Sequence, residues 1–83
     1  MSATRELMEK WVVEALDASG GSASLTAVAQ SVWVNHESDL RDLGDAFYTW
    51  QYDMRWAADR LRRRGVLKSA TLTPRGVWSL AQR

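Results

Sequence analysis

Apolar residues recur along this chain with a helical period over most of its length and a shorter period near its end. Leu7, Met8, Trp11, Val12, Ala15 and Leu16 keep to one helical face, while Glu6, Lys10, Glu14 and Asp17 lie off it, so residues 4–18 read as an amphipathic helix. The stretch SGGSAS at 19–24 ends that helix, because glycine supplies the backbone conformation that stops it, and Ser22 to Ser24 suit a very short strand. Leu25, Val28, Ala29, Val32 and Trp33 return to helical spacing, with Ser24 or Thr26 available as a cap, and predict a second helix over 26–34. The acidic stretch at 35–47 is less regular. Its Leu40, Leu43 and Phe47 fit either a short helix or a packed loop, with Gly44 as the breaker.

Trp50, Met54, Ala57 and Leu61 fall within about 60° of one another at about 100° per residue, which predicts a third helix over 48–64 with a buried stripe. Gly65 stands where a left-handed C-cap belongs. Thereafter the period shortens. VLKSATL at 66–72 alternates, TPRG at 73–76 suits a type I turn with Pro74 second and Gly76 fourth, and VWSLA follows with Trp78 and Leu80 on one face. Three helices followed by a hairpin predict a mainly α fold with a small β-hairpin: one winged helix-turn-helix domain over 1–83, with a C-terminal wing.

Composition narrows the class. The 83 residues include no cysteine, which excludes disulfides and thiolate metal sites and fits a reducing cytoplasm. A hydrophobic share of 46% and a charged share of 25% describe a globular domain. No apolar run approaches the roughly 18 residues of a membrane span, and the N-terminus lacks the apolar stretch of a signal peptide, so no membrane partner is expected. The net charge of +1 hides a division: residues 1–54 hold three basic against nine acidic residues, and residues 55–83 hold eight basic residues against Asp59 alone. That asymmetry, −6 against +7, predicts a basic face for an anionic partner, unless the two halves neutralise each other in the fold.

The residues from Trp56 to Leu80 carry a resemblance. Trp56-Ala57, then Leu61, then Gly65-Val66-Leu67, then Arg75-Gly76-Val77-Trp78 and Leu80 make the chain similar to the N-terminal winged-helix domain of the Mrr restriction-endonuclease family. The first helix, the GGSAS stretch and the long segment between the second and third helices resemble that family's layout as well. The resemblance implies a double-stranded DNA reader, ordinarily placed ahead of a nuclease domain. Its cleavage element of a Glu or Gln followed two positions later by Lys is missing from this sequence. The expectation is a free-standing reader or a domain of something larger. A second alignment, to multiple-antibiotic-resistance-type regulators, makes LTPRG the start of a fourth helix. It leaves only Lys68 to Thr71 for the wing, too few for a hairpin.

No catalytic chemistry is expected. His36 is the only histidine, and Glu37, Asp39, Asp42 and Asp45 read as a solvated acidic loop. The glycines at 20 and 21 lack the lysine of a phosphate-cradling loop. No cofactor, metal or small-molecule ligand is evident. The candidate site is instead the polar face of the third helix and the wing. Gln51 and Arg55 have the chemistry to read adenine and guanine, and Tyr48, Thr49 and Tyr52 to meet phosphates or a thymine methyl. Arg75 is placed at the wing tip and Lys68 at the wing base. Arg62 and Arg63 face phosphates or simply offset the helix dipole, as Arg64 does near the core stripe. Trp11, Trp33, Trp50 and Trp78 are expected in the core, and Trp56 at its edge against helix 1 or an arginine.

Two functions follow as expectations. One is a non-catalytic double-stranded DNA-binding domain, a transcriptional regulator or the targeting part of a restriction or defence system, cytoplasmic and nucleoid-associated when bound. The other is a winged helix serving protein–protein contact or homodimerisation, with Trp56, Tyr48 and Tyr52 as the adhesive surface.

Overall fold

The computed structural model describes residues 3–81; Arg83, counted in the charge above, lies outside them. The fold is a mainly helical winged helix-turn-helix with a small antiparallel sheet. Helix α1 (Ala3–Ala18) leads to strand β1 (Ser22–Ser24), helix α2 (Leu25–Arg41), a 3-10 turn (Gly44–Tyr48) and helix α3 (Trp50–Arg63). A second 3-10 turn (Ala70–Leu72) and strand β2 (Val77–Ser79) complete it.

Two helix ends share one device. After α1, the Gly21 N–H donates to the Leu16 carbonyl at 2.7 Å and the Gly20 N–H to that of Asp17 at 3.2 Å. After α3, Val66 donates to Leu61 at 2.9 Å and Gly65 to Arg62 at 3.0 Å. Gly20 and Gly65 stand at φ +80 and +78, the left-handed residue this arrangement requires. Nothing lies within 4 Å of where a Cβ at Gly65 would sit, so only backbone conformation opposes a side chain there. Gly65→Ala is therefore expected to cost about 1–2 kcal/mol, seen as a lowered denaturation midpoint. An unchanged midpoint would contradict this account.

Helix α2 runs past the expected end at Val34. Ser24 caps it, its Oγ accepting the Ala27 N–H at 3.1 Å. The helix breaks step at His36 (φ −133, ψ 24) and then continues to Arg41. Leu40 explains the continuation, because it is fully buried and pulls the acidic turn onto the core. His36 closes the kink against α1: its ring stacks on Trp11 at 4.2 Å, and its Nε2 lies 2.7 Å from a Glu14 carboxylate oxygen. Gly44, at φ +66, breaks the stretch as expected, after α2 has ended at Arg41 and where the 3-10 turn begins. Glu37, Asp39 and Asp42 are exposed; the side chain of Asp45 lies outside what is described.

The wing departs from the alternation read in VLKSATL. In that stretch only Leu67 forms a β-bridge, to Leu80, and residues 70–72 form a 3-10 turn. Ser69 is the reason. Its Oγ accepts the Thr71 N–H at 3.3 Å and its carbonyl accepts that of Leu72 at 2.9 Å, so local bonds displace the ladder. The following turn is displaced by one residue from the expected register. The Val77 N–H donates to the Pro74 carbonyl at 3.1 Å, with Gly76 third at φ +79, which makes Arg75 a central turn residue. Strand β2 pairs antiparallel with β1, Ala23 opposite Trp78, and on its other side the Lys68 N–H donates to Ser79 at 2.9 Å. The wing is thus tied to the loop after α1.

Met8, Val12 and Leu16 from α1, Val28, Val32 and Leu40 from α2, and Met54 and Leu61 from α3 fill the fully buried centre. Leu67, Trp78 and Leu80 close it from the sheet. Helix α3 packs mainly on α1, and α2 meets it less closely, leaving a groove between α2 and α3.

Candidate nucleic-acid interface

Helix α3 divides as its spacing predicts. Trp50, Met54, Ala57, Ala58 and Leu61 are buried, and Gln51, Tyr52, Arg55, Asp59 and Arg63 are exposed. Tyr48 and Thr49 are not part of the helix, contrary to the expected start. Tyr48 ends the 3-10 turn with 84% of its surface exposed, and Thr49 occupies the N-cap position (φ −124, ψ 6) without a side-chain cap bond. Both still stand beside the first turn of α3.

The arginine cluster separates into distinct roles. Arg64 reaches Glu9 of α1 at 2.7 Å, and Arg60 reaches the same carboxylate at 3.3 Å. Arg63 turns to Asp59 one helical turn back, at 3.0 Å. Arg62 is half-buried in a groove between α3 and β2 lined by Tyr52, Arg55, Asp59 and Trp78, and its Nε is buried without a hydrogen-bond partner among the described residues. On the α1 side Arg5 lies 3.5 Å from Asp53 and 4.2 Å from the Trp56 ring, whose other neighbour is Arg60 at 4.9 Å. Trp56 is therefore half-buried between two guanidinium groups at the edge of the core. The basic and acidic halves do neutralise each other, but along the α1–α3 contact.

Glu9 holds that contact. It is buried while its arginine partners are about half exposed, so its loss leaves two cations facing each other at a partly wetted site. Glu9→Ala is expected to destabilise the fold by about 1–3 kcal/mol, read from chemical denaturation. A shift of Arg63→Ala size, close to zero for an exposed pair, would remove Glu9 from this role.

Among the described residues, Lys10, Arg55, Arg62, Lys68 and Arg75 are the cations without an ion-pair partner. Four of these five belong to the segment 55–75. Arg55 and Arg62, two helical turns apart, share the α3–β2 groove with Tyr52. Arg75 is exposed in its turn, and the neighbouring Gly76 carbonyl accepts the Leu25 N–H at 2.8 Å, which holds the turn against the start of α2. Lys68 is half-buried beside β2 and lines neither groove.

Two residues that the sequence pattern did not assign to the site join it. Thr26 and Gln30 of α2 line the α2–α3 groove together with Gln51 and Arg55. Their signal was present as polar positions one turn apart, off the α2 apolar stripe. Trp33 is half-buried at the far end of that groove, its ring centroid 6.2 Å from that of Trp50, with Arg41 above it at 5.2 Å. Among the described residues no group of three or more His, Asp or Glu is placed to hold a metal ion, and no helix is long and apolar enough to cross a membrane. In comparisons with protein-family models, curated proteins and solved structures, nothing matches this chain.

Proposed function

We propose that this chain is a non-catalytic winged-helix module that binds double-stranded DNA through α3 and the Arg75 turn. The observation that carries the reading is the sorting of charge: Glu9, Asp53 and Asp59 engage Arg60, Arg64, Arg5 and Arg63, and among the described residues Arg55, Arg62, Lys68 and Arg75 have no acid paired with them. A helix that presents Gln51, Tyr52 and Arg55 from its first turns, flanked by Tyr48 and Thr49, has the donors and acceptors to read base edges in a major groove. The Arg75 turn and Arg62 would add phosphate contacts that position it. The resemblance to the Mrr N-terminal domain agrees with this and extends it to a regulator or a DNA-targeting module of a restriction-type system, in the cytoplasm or on the nucleoid.

Fluorescence anisotropy with a random-sequence duplex at several salt concentrations tests the proposal. Engaging four cations predicts that log K falls with log salt at a slope of about −3 to −4. Absence of binding, or binding indifferent to salt, would overturn it.

The second reading is homodimerisation or protein contact. It rests on Tyr48 and Tyr52, exposed at 84% and 69% on adjacent turns. Arg5 and Arg60 lie 4.2 and 4.9 Å from the Trp56 ring centroid, which leaves less of that ring open to a partner. A monomer by light scattering at high concentration would count against homodimerisation.

A further inference from the structure

Asp59 breaks the charge pattern on the exposed face of α3. It is the only Asp or Glu after position 54. Counted at about 100° per residue, Gln51, Arg62, Arg55, Asp59, Tyr52 and Arg63 follow one another over about 120° of the helix, with Asp59 inside the arc. It lines the α3–β2 groove together with Tyr52, Arg55 and Arg62. Glu9 and Asp53, by contrast, are buried and meet arginines on the α1 side. Asp59 has a partner too, since its Oδ2 lies 3.0 Å from an Arg63 terminal nitrogen, but 55% of its side chain and 77% of that of Arg63 are exposed. An ion pair that open contributes little to stability. Nor does it exhaust the acid, because an ionised carboxylate accepts at about four lone-pair sites.

We infer that Asp59 is a specificity-determining residue of this face, accepting a hydrogen bond from the exocyclic amine of a cytosine in the major groove. The inference rests on the DNA reading above and adds a base to it. A face that held the phosphate backbone alone would be weakened by an acid among its arginines, since the carboxylate repels phosphates. Against base edges the same acid discriminates. It offers only acceptors, so it repels guanine O6 and N7 and thymine O4. Adenine sets its N7 acceptor beside its N6 donor, whereas cytosine presents the N4 donor with no acceptor next to it. Arg55 and Asp59 are one helical turn apart, about 6 Å. Two base-pair steps rise about 6.8 Å, so a helix lying along the groove can bring both side chains to neighbouring base edges. Arg55 then takes a guanine and Asp59 a cytosine within about two base pairs of it. Arg63, bonded to the same carboxylate, holds it turned outward.

Selection from a randomised duplex pool by the wild-type chain and by Asp59→Asn, followed by anisotropy titration of the selected duplex and of the pool itself, tests the inference. The wild-type selection is expected to fix a cytosine within about two base pairs of a guanine. Replacing that C·G pair by T·A should weaken wild type by at least about fivefold. Asp59→Asn keeps the shape of the side chain but can donate as well as accept, so it should lose that discrimination. It should also bind the unselected pool about threefold or more tightly at low salt, since a charge opposing the phosphates is gone. Arg63→Ala removes the ion pair and leaves the carboxylate, and should keep the cytosine. Both positions are exposed, so both variants are expected to retain the native circular dichroism spectrum. Equal loss of the preference in Arg63→Ala and Asp59→Asn would assign Asp59 to helix support through the pair and overturn the inference. A selected site without the cytosine, an unchanged site in Asp59→Asn, or an unchanged affinity of that variant for the pool overturns it too. Those three results leave DNA binding standing. A wild type that binds no duplex at all overturns the proposed function, and this inference with it.

Discussion

Trp50→Ala is expected to remove about 3–5 kcal/mol of stability, the range for deleting a large aromatic from a packed core. Trp50 is 7% exposed, opens α3, and lies against Trp33 where α2 and α3 meet. A chain of this length has a total stability of only about 4–12 kcal/mol at the usual ~0.05–0.15 kcal/mol per residue, so the variant is expected to be largely or wholly unfolded. Far-UV circular dichroism and urea denaturation read the outcome. Tyr52→Ala, two positions along the same helix and 69% exposed, supplies the contrast, with a change within about 0.5 kcal/mol. Equal effects from the two variants would mean that α3 is turned differently about its axis.

The second large effect concerns binding. Arg55→Ala together with Arg75→Ala is expected to weaken duplex affinity by about 2–5 kcal/mol, if one arginine reads a base and the other a phosphate. The salt slope should become shallower by about one for each phosphate contact removed. Arg60→Ala with Arg64→Ala is the informative control. It removes the same formal charge, but from groups already engaged by Glu9, so, once circular dichroism shows that the variant with its unpaired Glu9 is still folded, the loss of affinity should be much smaller. If both double variants weaken DNA binding equally, net charge alone drives the interaction, and α3 and its turn lose their assigned role. If neither weakens it, the interface lies elsewhere.

These predictions depend unequally on the sequence pattern. The stripe Trp50, Met54, Ala57 and Leu61 was legible because burial of a helix face follows its 3.6-residue period, whatever the face packs against. Its complement, Gln51, Tyr52 and Arg55, was legible for the same reason. Tyr48 and Thr49 were placed at the start of the helix, which begins two residues later at Trp50, because the 3-10 turn at Gly44–Tyr48 leads into it and Thr49 takes a non-helical conformation. Thr26 and Gln30 were missed because the walls of a groove are set by how two helices approach each other.

By itself the sequence determined three amphipathic helices, the glycine stops of α1 and α3, and the two faces of α3. These are local properties, governed by period and by the backbone freedom of single residues. The tertiary structure alone decided which arginines are spent within the fold. Arg62, Arg63 and Arg64 are consecutive and chemically identical, yet successive steps of about 100° point them in three directions. Arg64 meets Glu9, which is 55 positions away in the chain; Arg63 meets Asp59; Arg62 meets no acid among the described residues. It likewise decided the course of 35–47, where buried Leu40 and the His36 contacts with α1 outweigh an irregular pattern, and of 66–72, where Ser69 outweighs a regular one. A charge acts on whatever the fold brings within a few ångströms, and that distance is absent from a linear chain.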